Sequence, residues 1–301
     1  MTWNIKQLVN ELHEARQQWR LNQNKHNEAG GRELPSSDEI QKILDELCGI
    51  LFPMRLGPYD LKQQNEDYFI AYSLDRTLDA LLAQVKLNLT YQAVQPDEHK
   101  DLHQQAKQLV EDFANQLPRL RRILDSDVIA AYEGDPAARS VDEVLICYPG
   151  VHAMIYHRIA HEFYVRDLKL LARIIAELSH SKTGIDIHPG AQIGEGCFID
   201  HGTGVVIGET SILGKNVRIY QAVTLGAKRF ETDDSGRLQK DYARHPIVED
   251  NVVIYAGATI LGRITIGEGS IIGGNVWVTQ NVAPYSSVLQ SSSTQQQMNS
   301  C

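Results

Sequence analysis

Apolar positions along this chain follow two rhythms, and the change from one to the other divides it. Up to about residue 180 they recur every three to four residues, as on one face of an α-helix. "SSDEIQKILDELCGILF" sets Ile40, Ile43, Leu44 and Leu47 at that spacing behind Ser36, Ser37 and Asp38, residue types that cap helix N-termini. "DYFIAYSLDRTLDALLAQVKLNLTYQAV" and "DLHQQAKQLVEDFANQLPRLRRILDSDVIAAY" repeat the pattern, and Pro118 is expected to end or kink the second. "YPGVHAMIYHRIAHEFYVRDLKLLARIIAELSHSKTG" reads as a further helical pair ending near Gly184. The polar, glycine-containing stretch from 21 to 37 reads as a linker.

From Ile185 onward the period is six. Ile187, Ile193, Ile199 and Val205 form one register, and Ile207, Leu213, Ile219 and Leu225 a second. Val248, Ile254, Ile260, Ile266, Ile272 and Val278 form a third. Neither the 3.6-residue helix nor the two-residue strand sustains this period. A parallel β-helix does, with one short strand per hexad and three hexads per triangular coil. The aliphatic side chain points into the prism, and a small residue takes the tight corner. All fourteen anchors are Ile, Leu or Val, which sets this reading against a β-sandwich with coincidental spacing. The rhythm breaks once, between Leu225 and Val248, where "GAKRFETDDSGRLQKDYARHPI" must leave the prism as a loop suited to binding. The expected architecture is α+β. A helical domain spans 1–180 (linker 21–37), a left-handed parallel β-helix spans 181–288 with loop 226–246, and 289–301 form a flexible polar tail.

Charge and composition narrow the partners. A formal net charge of −9 argues against nonspecific nucleic-acid binding, while leaving room for a small anion held by a local basic cluster. No apolar run approaches the roughly 20 residues of a membrane span. The N-terminus has no apolar signal region, so a cytoplasmic location is expected and Asn88-Leu-Thr90 is discarded as a glycosylation site. The four cysteines show no CxxC spacing and read as reduced thiols, Cys197 among them as packing.

The candidate chemistry lies where the repeat carries more than it needs. In "CFIDHGTGVVIGE", His201 follows the inward anchor Ile199 by two positions, near a corner, so its ring can point away from the core. An imidazole with an ordinary pKa of about 6.5 suits proton abstraction near neutral pH. Asp186 and His188, in "IDIHPG" less than one coil back, could orient it, and Arg244 and His245 arrive from the loop. A solvated or capping histidine is the bland reading, and His188, His201 and His245 as zinc ligands is a third, against which their spacings count. By itself Asp135 before Pro136 reads as a helix cap.

"GDPAARS", "YPGVHAMIYHRIAH", "DIHPGAQIGEGCFIDHGTGVVIGETSILGKNVRIYQAVTLGA" and "RHPIVEDNVVIYAGATILG" together resemble the serine O-acetyltransferases of bacterial and plant cysteine synthesis, over about residues 133–283. The resemblance implies transfer of the acetyl group of acetyl-coenzyme A to the L-serine hydroxyl, the first committed step of cysteine synthesis, with no metal and no acyl-enzyme. It assigns His201 as general base oriented by Asp186, Asp135 and Asp200 to the serine ammonium, Arg244 to its carboxylate, and His245 to the hydroxyl. It places coenzyme along Gly226, Ala227, Ala256, Gly257 and Gly274, with Lys228, Arg229, Lys240 and Arg263 as phosphate candidates. It also implies feedback inhibition by L-cysteine and a homotrimer or dimer of trimers. Competing readings are a hexapeptide acyltransferase for a sugar or amine, and a non-catalytic scaffold. Three features depart from the family: the longer loop before "RHP", Ala227 for glycine, and "SSVLQSSS" near the end. The chain ends in Asn-Ser-Cys301 where the family carries an isoleucine that docks O-acetylserine sulfhydrylase, so a weak complex or none is expected.

Overall fold

The computed structural model describes residues 3–22, 34–93, 101–232 and 236–290. Most of the expected linker (23–33), the end of the tail (291–301, including Cys301) and 233–235 of the loop lie outside the described residues. The first part of the chain is helical: α1 (Ile5–Asn22), α2 (Ser37–Leu51), α3 (Pro53–Leu56), α4 (Glu66–Gln92) and α5 (Leu102–Ala114). It continues as α6 (Leu117–Gly134), α7 (Val141–Cys147), α8 (Pro149–Tyr164) and α9 (Lys169–Thr183). Ser36 caps α2, its side chain accepting from the Glu39 N–H. Pro118 neither ends nor kinks a long helix. It sits in the first turn of α6, where its missing N–H costs nothing, and α5 stops at Ala114. Gly184 closes α9 in the left-handed conformation, at φ 71°.

Fourteen short strands follow among the described residues. They are β1 (Asp186–Ile187), β2 (Gln192–Ile193), β3 (Phe198–Ile199), β4 (Val206–Ile207), β5 (Ile212–Leu213), β6 (Arg218–Ile219) and β7 (Thr224–Gly226). Then come β8 (Ile247–Val248), β9 (Val253–Ile254), β10 (Thr259–Leu261), β11 (Thr265–Ile266), β12 (Ile271–Ile272), β13 (Trp277–Val278) and β14 (Ser287–Val288). Three parallel sheets result, ordered β1-β4-β7-β10-β13, β11-β8-β5-β2 and β14-β12-β9-β6-β3. They are called here the first, second and third faces. Successive strands step from face to face, so each hexad anchor stacks on the anchor one coil away. Ile207, Leu225 and Ile260, for example, line up on the first face, each at most 1% exposed.

Before the loop between β7 and β8, one stride is longer than six. Ile187 pairs with Ile207 and not with Val205, so β3 and β4 are separated by two extra residues. Val205, expected as a strand anchor, is instead a fully buried corner residue. Both Val205 and Ile207 are aliphatic, and stacking on Ile187 selects the second. The two extra residues are accommodated in a corner excursion, where His201, Gly202 and Gly204 take φ of 58°, 79° and 78°. That excursion contains Asp200 and His201.

The helices close the first coil. Met154 and Ala153 of α8 join the prism core, while Phe198 of β3 packs into the helical core. Gly150 permits this approach, since a Cβ there would lie 2.0 Å from the Ile199 carbonyl oxygen. A buried ion pair fixes the same junction. Arg158 of α8 binds both carboxylate oxygens of Asp127 on α6 (3.0 and 3.1 Å) and donates to the carbonyls of Ile193 and Gly194. Asp127 also accepts the Cys197 N–H at 2.9 Å.

Candidate active site

The excursion after β3 forms one centre, at the corner between the third and first faces. His201 projects outward with its side chain 69% exposed, and its Nδ1 lies 3.7 Å from Asp200 Oδ1. Asp200 is nearly buried, and its N–H is held by the Ile219 carbonyl at 2.8 Å. The packing of α6 and α8 on β3 brings Asp135 to this corner. Asp135 follows the last residue of α6, and its Oδ1 accepts the Ala137 N–H at 2.8 Å. Its Oδ2 accepts the Tyr148 hydroxyl at 2.5 Å. These two donors, helped by the fields of His201 and Arg218, hold the Asp135 carboxyl below the usual carboxylate range. The same bond, with partial burial, pushes the Tyr148 hydroxyl up to about 12. Asp135, expected from sequence to be a helix cap or a substrate group, sits at the C-terminal end of α6, within reach of the field of His201. Asp186 sits on β1 opposite Val206, one coil beneath the end of the excursion, and no hydrogen bond or ion pair joins it to His201. The carboxylate within ion-pair distance of His201 is Asp200.

A second centre occupies the corner between the first and second faces. His245, 7% exposed, lies on the backbone of Gly208, where a Cβ would sit 2.2 Å from its Nε2. Its Nδ1 accepts the Thr210 N–H at 3.1 Å and lies 2.9 Å from Thr210 Oγ1. That hydroxyl oxygen accepts the N–H groups of Arg244 (2.9 Å) and His245 (3.1 Å), so its own hydrogen goes to Nδ1. The ring therefore carries its proton on Nε2. Burial first, then the Arg244 charge, pushes the His245 pKa down to about 4, so it is a neutral donor at pH 7. Arg244 binds Glu209 at 2.6 Å, and Glu209 accepts the Tyr164 hydroxyl of α8 at 2.8 Å. Arg263 braces the turn, donating to the carbonyls of Thr210 (2.6 Å) and His245 (3.0 Å).

His188 belongs to this second corner and not to His201. Its Nδ1 accepts the Gly190 N–H at 3.0 Å, and its ring meets Tyr164 edge-on at 5.6 Å. Burial pushes its pKa down to about 4, with Arg173 adding to the effect. Hence His188 and His245 share a corner that His201 does not. Among the described residues no group of three or more His, Cys, Asp or Glu is placed to hold a metal ion. Cys197 is 2% exposed, and burial pushes its thiol up to about 12, so it offers no thiolate.

The expected coenzyme strip divides over the two edges of the first face. Gly226, at the end of β7, leads into Ala227 and Lys228, and Lys228 packs over Gly262. Ala256, Gly257 and Gly274 lie in the corner column that begins with the His201 excursion, Gly274 directly against the Ala256 carbonyl. Arg229 and Lys240 stand in the loop between β7 and β8. Thr210, Glu209, Tyr164 and Tyr148 were not read from sequence. For Thr210 a signal existed: once the insertion is counted, β5 stacks on β8 at an offset of thirty-five, the separation between Thr210 and His245.

The family model for bacterial transferase hexapeptide (six repeats) matches residues 245–280. The plasmid serine acetyltransferase of Synechococcus elongatus is 55% identical over 261 residues, covering 85% of this chain and 82% of that protein. The serine acetyltransferase of Bacillus subtilis is 47% identical over 168 residues, 56% of this chain and 73% of that protein. Among solved structures, Entamoeba histolytica serine acetyltransferase isoform 3 in complex with cysteine superposes with TM-score 0.71 at 37% identity, covering 86% of this chain and 84% of that one. Soybean serine acetyltransferase complexed with serine gives 0.54 at 30% identity, covering 85% and 98%. A hexad prism that carries Asp200 and His201 on a corner excursion, beside a helical carboxylate, and is this similar over most of its length, belongs to the serine acetyltransferase family.

Proposed function

We propose that the chain transfers the acetyl group of acetyl-coenzyme A to the hydroxyl of L-serine by general-base catalysis, as the committed step of cysteine synthesis. The observation that supports this best is the exposed His201 ring beside the Asp200 carboxylate, with Asp135 within reach of the ring's field. The serine ammonium lies between the carboxyl groups of Asp135 and Asp200. His201 removes the hydroxyl proton as the oxygen attacks the thioester carbonyl, and coenzyme A leaves as the thiol. Asp186, one coil below, fixes the ring once substrate is bound. The unreactive Cys197 thiol supports direct transfer without an acyl-enzyme.

The serine carboxylate goes to Arg244, whose guanidinium suits a carboxylate, and the neutral His245 supplies Nε2–H to the reacting oxygen atoms. These groups lie on a different corner of the prism from His201. A site holding all of them therefore forms between neighbouring copies, the second corner of one facing the first corner of the next. A left-handed prism assembled as a homotrimer, or as a dimer of trimers, accounts for this. Acetyl-coenzyme A lies in the same cleft along Gly226, Ala227, Ala256, Gly257 and Gly274. Lys228, Arg229, Lys240 and the unengaged N–H groups of Arg263 face its phosphates.

Three of the structural relatives were solved with cysteine bound, two of them serine acetyltransferases of Entamoeba histolytica. Here L-cysteine, which shares serine's ammonium and carboxylate, competes through Asp135, Asp200 and Arg244. No described helix is long and apolar enough to cross a membrane.

The decisive experiment is steady-state acetyl transfer with His201→Ala over a panel of acceptors. Turnover on serine is expected to fall by roughly two or more orders of magnitude, with folding unchanged. Unchanged turnover in the variant, or a preference of the parent for a sugar or amine, overturns the proposal.

A further inference from the structure

Helix α1 stands apart from everything described above. It buries none of its residues. Ile5 is 61% exposed, Leu8 47%, Leu12 59% and Trp19 55%. An apolar stripe left in water costs an isolated eighteen-residue helix the packing on which such helices depend. The spacing shows what kind of surface would cover it. Ile5, Leu8, Leu12, Ala15 and Trp19 alternate steps of three and four, the a and d positions of a heptad. A sustained mean step of 3.5 keeps a stripe facing another helix that winds around it, whereas the face of a lone straight helix drifts at 3.6.

The flanking charges select the partner and its direction. With Ile5 at an a position, Glu11 falls at g and Arg16 at the following e. In a parallel pair of identical helices, g of one chain faces the next e of the other, so each Glu11 meets an Arg16 on both sides of the seam. In an antiparallel pair Glu11 would face Gln18, and Arg16 would face the apolar Val9. One Glu11 oxygen accepts from Gln7 at 2.8 Å within its own helix, and the other is available across the seam. Val9, at the first e position and 52% exposed, widens the apolar strip.

We infer that α1 packs against the α1 helices of other copies of this chain as a short parallel coiled coil. The twelve residues from 23 to 34, between α1 and the buried Pro35, have a contour of at most about 40 Å at roughly 3.3 Å each, so helices tethered to neighbouring copies can meet. Tethering also raises their effective concentration to about the millimolar range, which lets so short a seam form. This inference uses none of the catalytic assignments.

The test is thiol cross-linking in the full-length chain with Cys147 and Cys301 replaced by serine. Leu8→Cys puts a thiol in the seam, and Asn10→Cys puts one on the outer face. On oxidation with diamide, Leu8→Cys is expected to form interchain disulfide at least tenfold faster than Asn10→Cys. Glu11→Arg or Arg16→Glu slows that reaction, and the two exchanged together restore it. Retained acetyl-transfer activity shows that each variant is folded. Equal rates at the two positions, no interchain disulfide, or failure of the double exchange to restore the rate overturns the inference. So does a Leu8→Cys thiol that couples only with Trp19→Cys, which marks an antiparallel pair. Binding of the parent to phosphatidylglycerol vesicles without any seam cross-link overturns it as well.

Discussion

Gly208→Ala is a one-carbon change that should disable the second corner. The added Cβ would sit 2.1 Å from Cδ2 and 2.2 Å from Nε2 of His245, against an ordinary contact of about 3.5–4 Å. The backbone cannot easily yield, because the Gly208 N–H bonds the Leu225 carbonyl at 3.0 Å in the strand ladder. The ring must therefore move by more than about 1 Å, off the Thr210 N–H and hydroxyl that fix its tautomer. Misplacement on that scale costs about a hundredfold in rate, and overpacking adds roughly 1–3 kcal/mol of destabilisation. The assay is steady-state acetyl transfer with serine and acetyl-coenzyme A varied separately, alongside thermal unfolding. The kcat/KM for serine is expected to fall about a hundredfold. The discriminating measurement uses His245→Ala, which removes the ring that the new methyl would strike. In that background Gly208→Ala should cost almost nothing further. If the two losses simply multiply, the effect does not pass through the imidazole and the reasoning fails.

Tyr148→Phe removes the strongest donor to Asp135. A carboxyl held below its ordinary value is ionised above that value and loses its charge as pH falls through the depressed one, so the acid limb of the serine kcat/KM profile should move to higher pH in the variant. Coincident acid limbs would separate Asp135 from serine binding. Glu209→Gln weakens the hold on Arg244, which predicts a several-fold rise in the serine KM with little change in the acetyl-coenzyme A KM; equal changes in both would contradict this. Asp127→Ala leaves the Arg158 guanidinium, 7% exposed, with only carbonyl partners, and should cost about 3–5 kcal/mol in denaturant unfolding. Replacing both members, Asp127→Leu with Arg158→Met, should recover most of that loss, and a double variant as unstable as the single would show that the charge pair itself is needed.

Periodic features were legible in the sequence, and features that depend on stacking were not. Helices α2, α4, α8 and α9 and the hexads announce themselves because one residue in every turn must face a core. The register after Ile199 was ambiguous, since Val205 and Ile207 each continue a plausible hexad and only pairing with Ile187 decides between them. His201 stood out because the repeat does not need it. Tyr148 gave no signal, because its partner Asp135 is reached through the packing of α7 and α8 on α6 rather than through any spacing. Nothing in the sequence marks Arg158 and Asp127, since burial of their pair appears only when α6 and α8 meet the first coil. The division of the candidate site between two corners was equally hidden, since a linear sequence does not say which edge of a prism a residue occupies.

The excursion at Asp200 and His201 also bears on how such a prism can change. Because the extra length is absorbed in a corner, Ile187 still meets Ile207 and every later rung is undisturbed. The far longer detour between β7 and β8 obeys the same rule, with Leu225 meeting Ile260 as though nothing intervened. Corners are thus places where residues can be gained or lost without rewriting the scaffold, and new chemistry can be tried there while the ladder keeps its footing.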